Sequence, residues 1–261
     1  MPFIQYHNQT LFYSKQGNGN NALLLFHGFG QDHTAFDSWI KILEGSHTLY
    51  IFDLFYHGSS TRPNQPLSKS NWIDLIDAFL HQEGIEQFSI AGFSLGGRFA
   101  LAMVQHFASR IKVALLLAPD GIYQNRWYII STSWYGNWFF RHIMHHPDFF
   151  DKWNRFAKKL RLSNPSMLRF IDRVLGEEAN RIKVYQSWTY FKPLGLDKRE
   201  LTTLLNNSKS GQIQLYLGSK DRIIPKEQII KKVNYQLIKT IDAKHHELID
   251  KASRLTPQIF G

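Results

Sequence analysis

Ser94 stands in the run Gly92-Phe93-Ser94-Leu95-Gly96-Gly97, after the apolar stretch Phe88 to Phe93 and ahead of a helical pattern. A serine at a sharp strand-to-helix turn presents its hydroxyl on a corner, and small residues two before and two after it prevent a collision of backbones. Gly92 and Gly96 meet that requirement. The helix that opens at Leu95 points its positive end toward an anion forming at Ser94. A Gly-rich turn that merely packs closely has the same pattern. A nucleophile needs, in addition, a base within hydrogen-bond reach and a third group that orients the base.

Three more blocks accompany this turn: His27-Gly28-Phe29-Gly30, Asp53-Leu54-Phe55-Tyr56-His57-Gly58-Ser59-Ser60 and Gly218-Ser219-Lys220-Asp221-Arg222-Ile223-Ile224-Pro225. Together the four blocks resemble the α/β-hydrolase superfamily over essentially the whole chain. The first is similar to its His-Gly oxyanion motif, the second to its D-x-x-x-H-G-x-S turn, the third to the G-x-x-D-x-x-x-P loop that holds the triad acid. The resemblance implies Ser94 as nucleophile, Asp221 as acid and His245 as base, in the family's chain order. It implies the backbone N–H groups of Phe29 and Leu95 as oxyanion-hole donors, and structural hydrogen bonding for His27 and His57. Lys244 stands where the family's G-x-G-H has glycine, so His246 stays open as the base beside His245. Asp120 ends a strand from which some family members draw their acid, so it stays open beside Asp221.

Arg98 completes the stretch Ser94-Leu95-Gly96-Gly97-Arg98, which resembles the S-x-G-G-R of the menaquinone-pathway synthase, although Phe93 replaces that family's usual tyrosine. There the arginine helps to bind a carboxylate-rich substrate, so lyase or C–C bond hydrolase chemistry is the alternative to ester hydrolysis. Arg98 equally suits a surface helix residue. His142, His145 and His146 have helical spacing for imidazoles on one metal, but no H-E-x-x-H pattern accompanies them. Neither phosphate-loop nor dinucleotide fingerprints occur, and no cofactor and no metal is expected.

The elements that would position these residues are compact apolar runs at Ala22 to Phe26, Thr48 to Phe52, Phe88 to Phe93, Val113 to Ala118, Ile213 to Leu217 and Leu237 to Ile241. Such runs fit strands covered on both faces. Two short strands over residues 2–7 and 10–15 precede them, and helices are expected near 34–44, 68–83, 95–108, 226–234 and 246–255. The fold class is therefore α/β, with the resemblance implying a mostly parallel eight-stranded sheet, helices on both faces and a helical lid. Residues 1–120 and 206–261 form the core and 121–205 the lid insertion, with amphipathic stretches at Phe149 to Leu160 and Met167 to Leu175. The insertion holds five of the 7 Trp residues: Trp127, Trp134, Trp138, Trp153 and Trp188. Aromatics in a cap are commonly its own core. Phe93, Arg98, Trp127 and Trp134 are the candidate substrate-binding residues.

The chain has 261 residues, 43% hydrophobic and 20% charged, which suits one large globular domain. Zero Cys excludes disulfides, thiolate catalysis and Cys-ligated zinc. The net charge of +10 carries no nucleic-acid motif with it, and +7 falls between residues 121 and 200. No secretory pattern opens the chain and no apolar stretch is long enough to span a bilayer. The expectations are a cytoplasmic protein acting on a small-molecule acyl substrate, with no nucleic acid and no stable membrane insertion. Oligomeric state is not legible. A ligand-binding receptor on the same fold is the reading from outside enzymology.

Overall fold

A computed structural model describes residues 2–6, 9–124, 126–159, 175–207, 212–233 and 237–261. Among them, eight strands form one sheet: β1 (Phe3–Tyr6), β2 (Gln9–Gln16), β3 (Asn21–Phe26), β4 (His47–Phe52), β5 (Phe88–Phe93), β6 (Ile111–Leu117), β7 (Ile213–Gly218) and β8 (Ile238–Ile241). Their spatial order is β1-β2-β4-β3-β5-β6-β7-β8. The entry hairpin pairs antiparallel and β2 joins β4 antiparallel, while every other neighbour pair is parallel. The central strands are continuous apolar runs because both their faces are covered: every residue of β5 is buried, as are Leu23 to Phe26 in β3.

The first helices are α1 (Asp37–Leu43), α2 (Lys69–Gln82) and α3 (Leu95–His106). Ser68 caps α2 by accepting from the Asn71 N–H at 3.0 Å. The apolar faces of α2 and α3 complete an aromatic layer in which Trp72 meets Phe99 edge-on at 4.9 Å and Phe26 stacks on Phe52 at 5.1 Å. Each such fully buried ring contributes ~1.5–3 kcal/mol of transfer free energy. α1 packs with the C-terminal helices, where the Trp39 indole N–H donates to the Ile249 carbonyl at 2.9 Å.

The chain divides into two compact units, one of residues Met1–Tyr123 with Leu194–Gly261 and one of Gln124–Pro193. The second unit contains α4 (Arg126–Ser131), α5 (Trp134–His145), α6 (Pro147–Lys159) and α7 (Glu178–Tyr190). Its interior is aromatic: Phe140 lies 5.6 Å from Tyr185 and 5.5 Å from Trp188, Tyr128 also meets Trp188, and Phe139 meets Trp153 edge-on at 5.1 Å. The amphipathic pattern at Phe149 to Leu160 becomes α6 as far as Lys159, and Leu160 lies outside the described residues. The other one, at Met167 to Leu175, lies outside the described residues except for Leu175.

The division falls inside the 121–205 span expected from sequence, because α8 (Lys198–Asn207) is tied to the sheet unit. Asp197 and Glu200 cap its start reciprocally, and the Glu200 carboxylate receives Lys69 of α2 at 2.8 Å. The remaining helices of the sheet unit are α9 (Lys226–Ile230), α10 (Leu248–Ser253) and α11 (Thr256–Phe260).

Candidate active site

Ser94 occupies the single-residue corner between β5 and α3, with φ of 49°, a left-handed conformation rare for a residue with a side chain. Three backbone hydrogen bonds hold it there. Its N–H donates to the Leu117 carbonyl at 2.9 Å, and its own carbonyl accepts from Gly97 at 2.9 Å and Asp120 at 2.8 Å. The corner closes only because its neighbours lack side chains. A Cβ on Gly92 would lie 2.5 Å from the Gly96 carbonyl oxygen, and one on Gly96 would strike the Phe26 carbonyl.

The hydroxyl of Ser94 lies 3.0 Å from His245 Nε2, and His245 Nδ1 lies 2.6 Å from Asp221 Oδ2. The other oxygen of Asp221 accepts from the N–H groups of Ile223 at 2.8 Å and Ile224 at 3.0 Å. That fixes the carboxylate, whose side chain is fully buried. His245 begins a short 3-10 turn, His245–Glu247, which the Glu247 side chain closes by accepting from the Lys244 N–H at 2.8 Å. Lys244 has φ of −80°, an ordinary extended conformation, so this turn needs no glycine there. His246 follows on the same turn, and no hydrogen bond joins it to Ser94 among the described contacts.

Phe29 follows β3 in a loop whose shape depends on a residue that no motif singles out. The Gln31 side-chain oxygen accepts from the Gly28 N–H at 2.9 Å, while Gly30 adopts φ of 78°. Leu95 supplies the first N–H of α3, one of the donors a helix cannot satisfy internally. Phe93 packs its ring 4.8 Å from that of His245, and a Cβ on Gly28 would lie 2.8 Å from the Phe93 ring. Phe93 therefore walls the His245 imidazole on one side.

His27 is fully buried, donates from Nδ1 to the Gly28 carbonyl at 2.7 Å and accepts at Nε2 from the Leu54 N–H at 3.0 Å. Burial, with His57 beside it, pushes its pKa down to about 3, so it is a neutral strut between two loops. His57 donates to the Phe55 carbonyl at 2.9 Å. Asp53, also fully buried, accepts from the N–H groups of His33 and Ser59 at 2.7 and 2.8 Å. These three residues order the turns around the serine and lie outside its relay.

Arg98 and Asp120 form an ion pair with each other, Nη2 to Oδ2 at 2.7 Å. The arginine side chain is 1% exposed and the aspartate side chain 28%. Trp134 and Trp138 lie in the helical unit and are largely exposed, whereas Trp188 and Trp153 are half-buried there, Trp188 against Phe140 and Trp153 against Phe139. The Trp127 side chain lies outside what is described. Among the described residues, no group of three or more His, Cys, Asp or Glu side chains is placed to hold a metal ion.

The family model for the alpha/beta hydrolase fold matches residues 21–252. Of curated relatives, a protein of Mycoplasma genitalium named as a candidate esterase/lipase is 22% identical over 261 residues, covering 94% of this chain and 90% of its own length. Three other relatives match only in part. The chain spans 29% of a Cupriavidus necator protein, the dihydrolipoyllysine-residue acetyltransferase component of an acetoin cleaving system, at 28% identity over 112 residues, 42% of this chain. It spans 42% and 23% of the next two relatives, less than half of their length. Of solved structures, a hydrolase from Pseudomonas aeruginosa PA01 aligns with a TM-score of 0.70 at 16% identity, covering 98% of this chain and 97% of the other. Among the described residues, no helix is long and apolar enough to cross a membrane.

Proposed function

We propose that this chain, which belongs to the alpha/beta hydrolase fold family, is a serine hydrolase cleaving a carboxylic ester or related acyl compound through an acyl-enzyme. The observation that carries the reading is the unbroken relay from Ser94 Oγ to His245 Nε2 at 3.0 Å and from His245 Nδ1 to Asp221 at 2.6 Å. The esterase/lipase name of the Mycoplasma genitalium relative agrees with it.

In this mechanism Asp221 accepts a hydrogen bond from the His245 Nδ1–H and so leaves the Nε2 lone pair facing Ser94. As Oγ bonds to the carbonyl carbon, its proton passes to Nε2 and the carbonyl π pair moves onto oxygen. The N–H groups of Phe29 and Leu95 are the donors assigned to that oxyanion, and a donor of this kind is commonly worth ~3–4 kcal/mol. When the pair returns, the bond to the leaving alkoxide breaks and the His245 proton goes to it. Water then repeats the sequence on the acyl-enzyme, with His245 as base, releasing the acid and restoring Ser94. The substrate is a small acyl compound, and no cofactor takes part.

Arg98 bears on the choice between hydrolysis and elimination. A lyase acting on a carboxylate-rich substrate needs cationic side chains directed at the serine, and Arg98 is already neutralised by Asp120 at 2.7 Å. That favours hydrolysis. The test is a panel of acyl esters of varied length and charge, run beside Ser94→Ala, with fluorophosphonate labelling of Ser94. Ester turnover and labelling that both vanish in the variant are expected. Turnover of a succinyl-cyclohexadiene carboxylate in place of esters would establish the lyase, and neither turnover nor labelling would leave a receptor.

A further inference from the structure

The helical unit buries an aromatic cluster among its described residues and yet leaves several large side chains in solvent. Trp134 and Tyr135 are each 82% exposed, Trp138 is 74%, and Ile130 and Ile129 are 55% and 51%. Single exposed apolar residues are ordinary, whereas five large ones within ten consecutive residues mark a surface that meets something. They are not a failed core. The opposite face of α5 is buried through Phe140, Ile143 and Met144, with Phe140 against Tyr185 and Trp188 of α7.

The corner that carries them is rigid. Ser133 accepts from the Gly136 N–H at 3.1 Å, capping α5, and its hydroxyl donates to the Ile130 carbonyl at 2.7 Å, closing the end of α4. Gly136 is required at this crossing, because a Cβ there would run into the Ile130 carbonyl. The two isoleucines and the Trp134–Tyr135 pair, whose rings lie 4.5 Å apart, are thus displayed together.

Along α5 the helical period places Trp134, Trp138, Arg141 and His145 on one stripe, with Tyr135 and His142 beside it. The aromatic half leads and Arg141 follows, and Trp138 stacks on His142 with planes 12° apart. No Asp or Glu occurs anywhere from Gly121 to Pro147, while Arg126 and Arg141 both lie there, exposed. Trp and Tyr, each with an apolar body and a polar tip, suit a headgroup interface, and a stretch of chain with arginines and without its own carboxylates suits negative charge.

We propose that the α4–α5 corner docks on an anionic lipid surface, with Ile129, Ile130, Trp134, Tyr135 and Trp138 at headgroup depth and Arg126 and Arg141 facing lipid phosphates. Docking of this kind is peripheral and needs no spanning helix. It does not depend on the chemistry at Ser94.

The test is co-sedimentation of the full chain with vesicles of phosphatidylcholine alone and of phosphatidylcholine with 30% phosphatidylglycerol. The comparison proteins are Ser94→Ala, Trp134→Ser/Trp138→Ser and Arg126→Ser/Arg141→Ser, all checked for folding by circular dichroism and for oligomeric state by sedimentation velocity. Binding to the anionic vesicles is expected, with a blue shift of tryptophan emission and the same partition for Ser94→Ala. The tryptophan variant should partition at least ~10-fold less, and 0.5 M salt or the arginine variant should weaken binding several-fold. Absence of vesicle binding, or equal binding by the tryptophan variant, overturns the proposal. Equal binding to neutral and anionic vesicles overturns its electrostatic part. A dimer that dissociates in the tryptophan variant, without vesicle binding, assigns the patch to a second copy of the chain instead.

Discussion

Asp120 grips Arg98 at 2.7 Å through its carboxylate, while its own N–H donates to the Ser94 carbonyl at 2.8 Å. The residue just beyond β6 is thereby a brace on the strand-to-helix corner at Ser94. Asp120→Asn is expected to lower stability by ~1–3 kcal/mol, because a buried guanidinium loses its charged partner, with the aspartate's partial exposure moderating the cost. Asp221→Asn should instead cut kcat by up to ~10⁴-fold, because the amide no longer selects the Nδ1–H tautomer of His245. Thermal unfolding and ester turnover of both variants measure this split. If Asp120→Asn loses the turnover and Asp221→Asn keeps it, the acid comes from the end of β6.

Ser94→Ala should fold as the parent does and lose at least ~10³-fold in ester turnover, the residue of rate coming from oxyanion stabilisation and binding. Relief of the φ of 49° does not accompany this change, since alanine is no freer there than serine. An alanine variant with parental turnover would remove Ser94 from the chemistry.

His245→Ala should cost far more activity than His246→Ala, because only His245 is hydrogen-bonded to both Ser94 and Asp221. The comparison needs kcat/KM for one soluble ester and a melting curve for each protein. Equal losses with equal melting temperatures would mean that the register of the turn is wrong.

His27 links stability to pH. Its folded pKa of about 3 lies below the unfolded value of 6.5, so the unfolded chain binds the extra proton between those limits. The stabilisation is complete above pH 6.5 and is lost as pH falls, by about 2 kcal/mol on going from pH 7 to pH 5. Burial also depresses His47, which adds to the effect with the same sign. Urea unfolding at pH 7, 6 and 5 reads the slope. The variant His27→Gln, less stable throughout, should show a shallower dependence; an unchanged slope would contradict the buried neutral imidazole.

The sheet was legible because its central strands are covered on both faces, so Leu23 to Phe26 and Phe88 to Phe93 appear as unbroken apolar runs. The short corner at Ser94 was legible for a steric reason, since the glycines two residues to either side leave a signature that few other turns need. The partner of Arg98 was not. A helix position fixes a direction, and what meets it arrives from β6, 22 residues later. The role of Gln31 leaves no signal either, because a side chain closing its own loop needs no repeat or spacing. The tryptophans separate for a related reason: periodicity puts Trp134 and Trp138 on one face of α5, but only packing decides that Trp188 is half-covered by Phe140 and Tyr128 while those two stay exposed.

The helical unit leaves the sheet unit after Tyr123 and returns at Leu194, between β6 and β7, which pair directly with Leu117 opposite Tyr216. Closing a chain segment costs entropy that grows only with the logarithm of its length, so doubling an insertion adds just ~0.6 kcal/mol to the loop term. The parallel ladder of Ala114 to Leu117 with Ile213 to Tyr216 is therefore nearly indifferent to how much chain is spliced between its strands. Such a junction is a natural place for evolutionary exchange. One helical module can be traded for another of different size or surface while the strands that hold Ser94 and Asp221 refold unchanged.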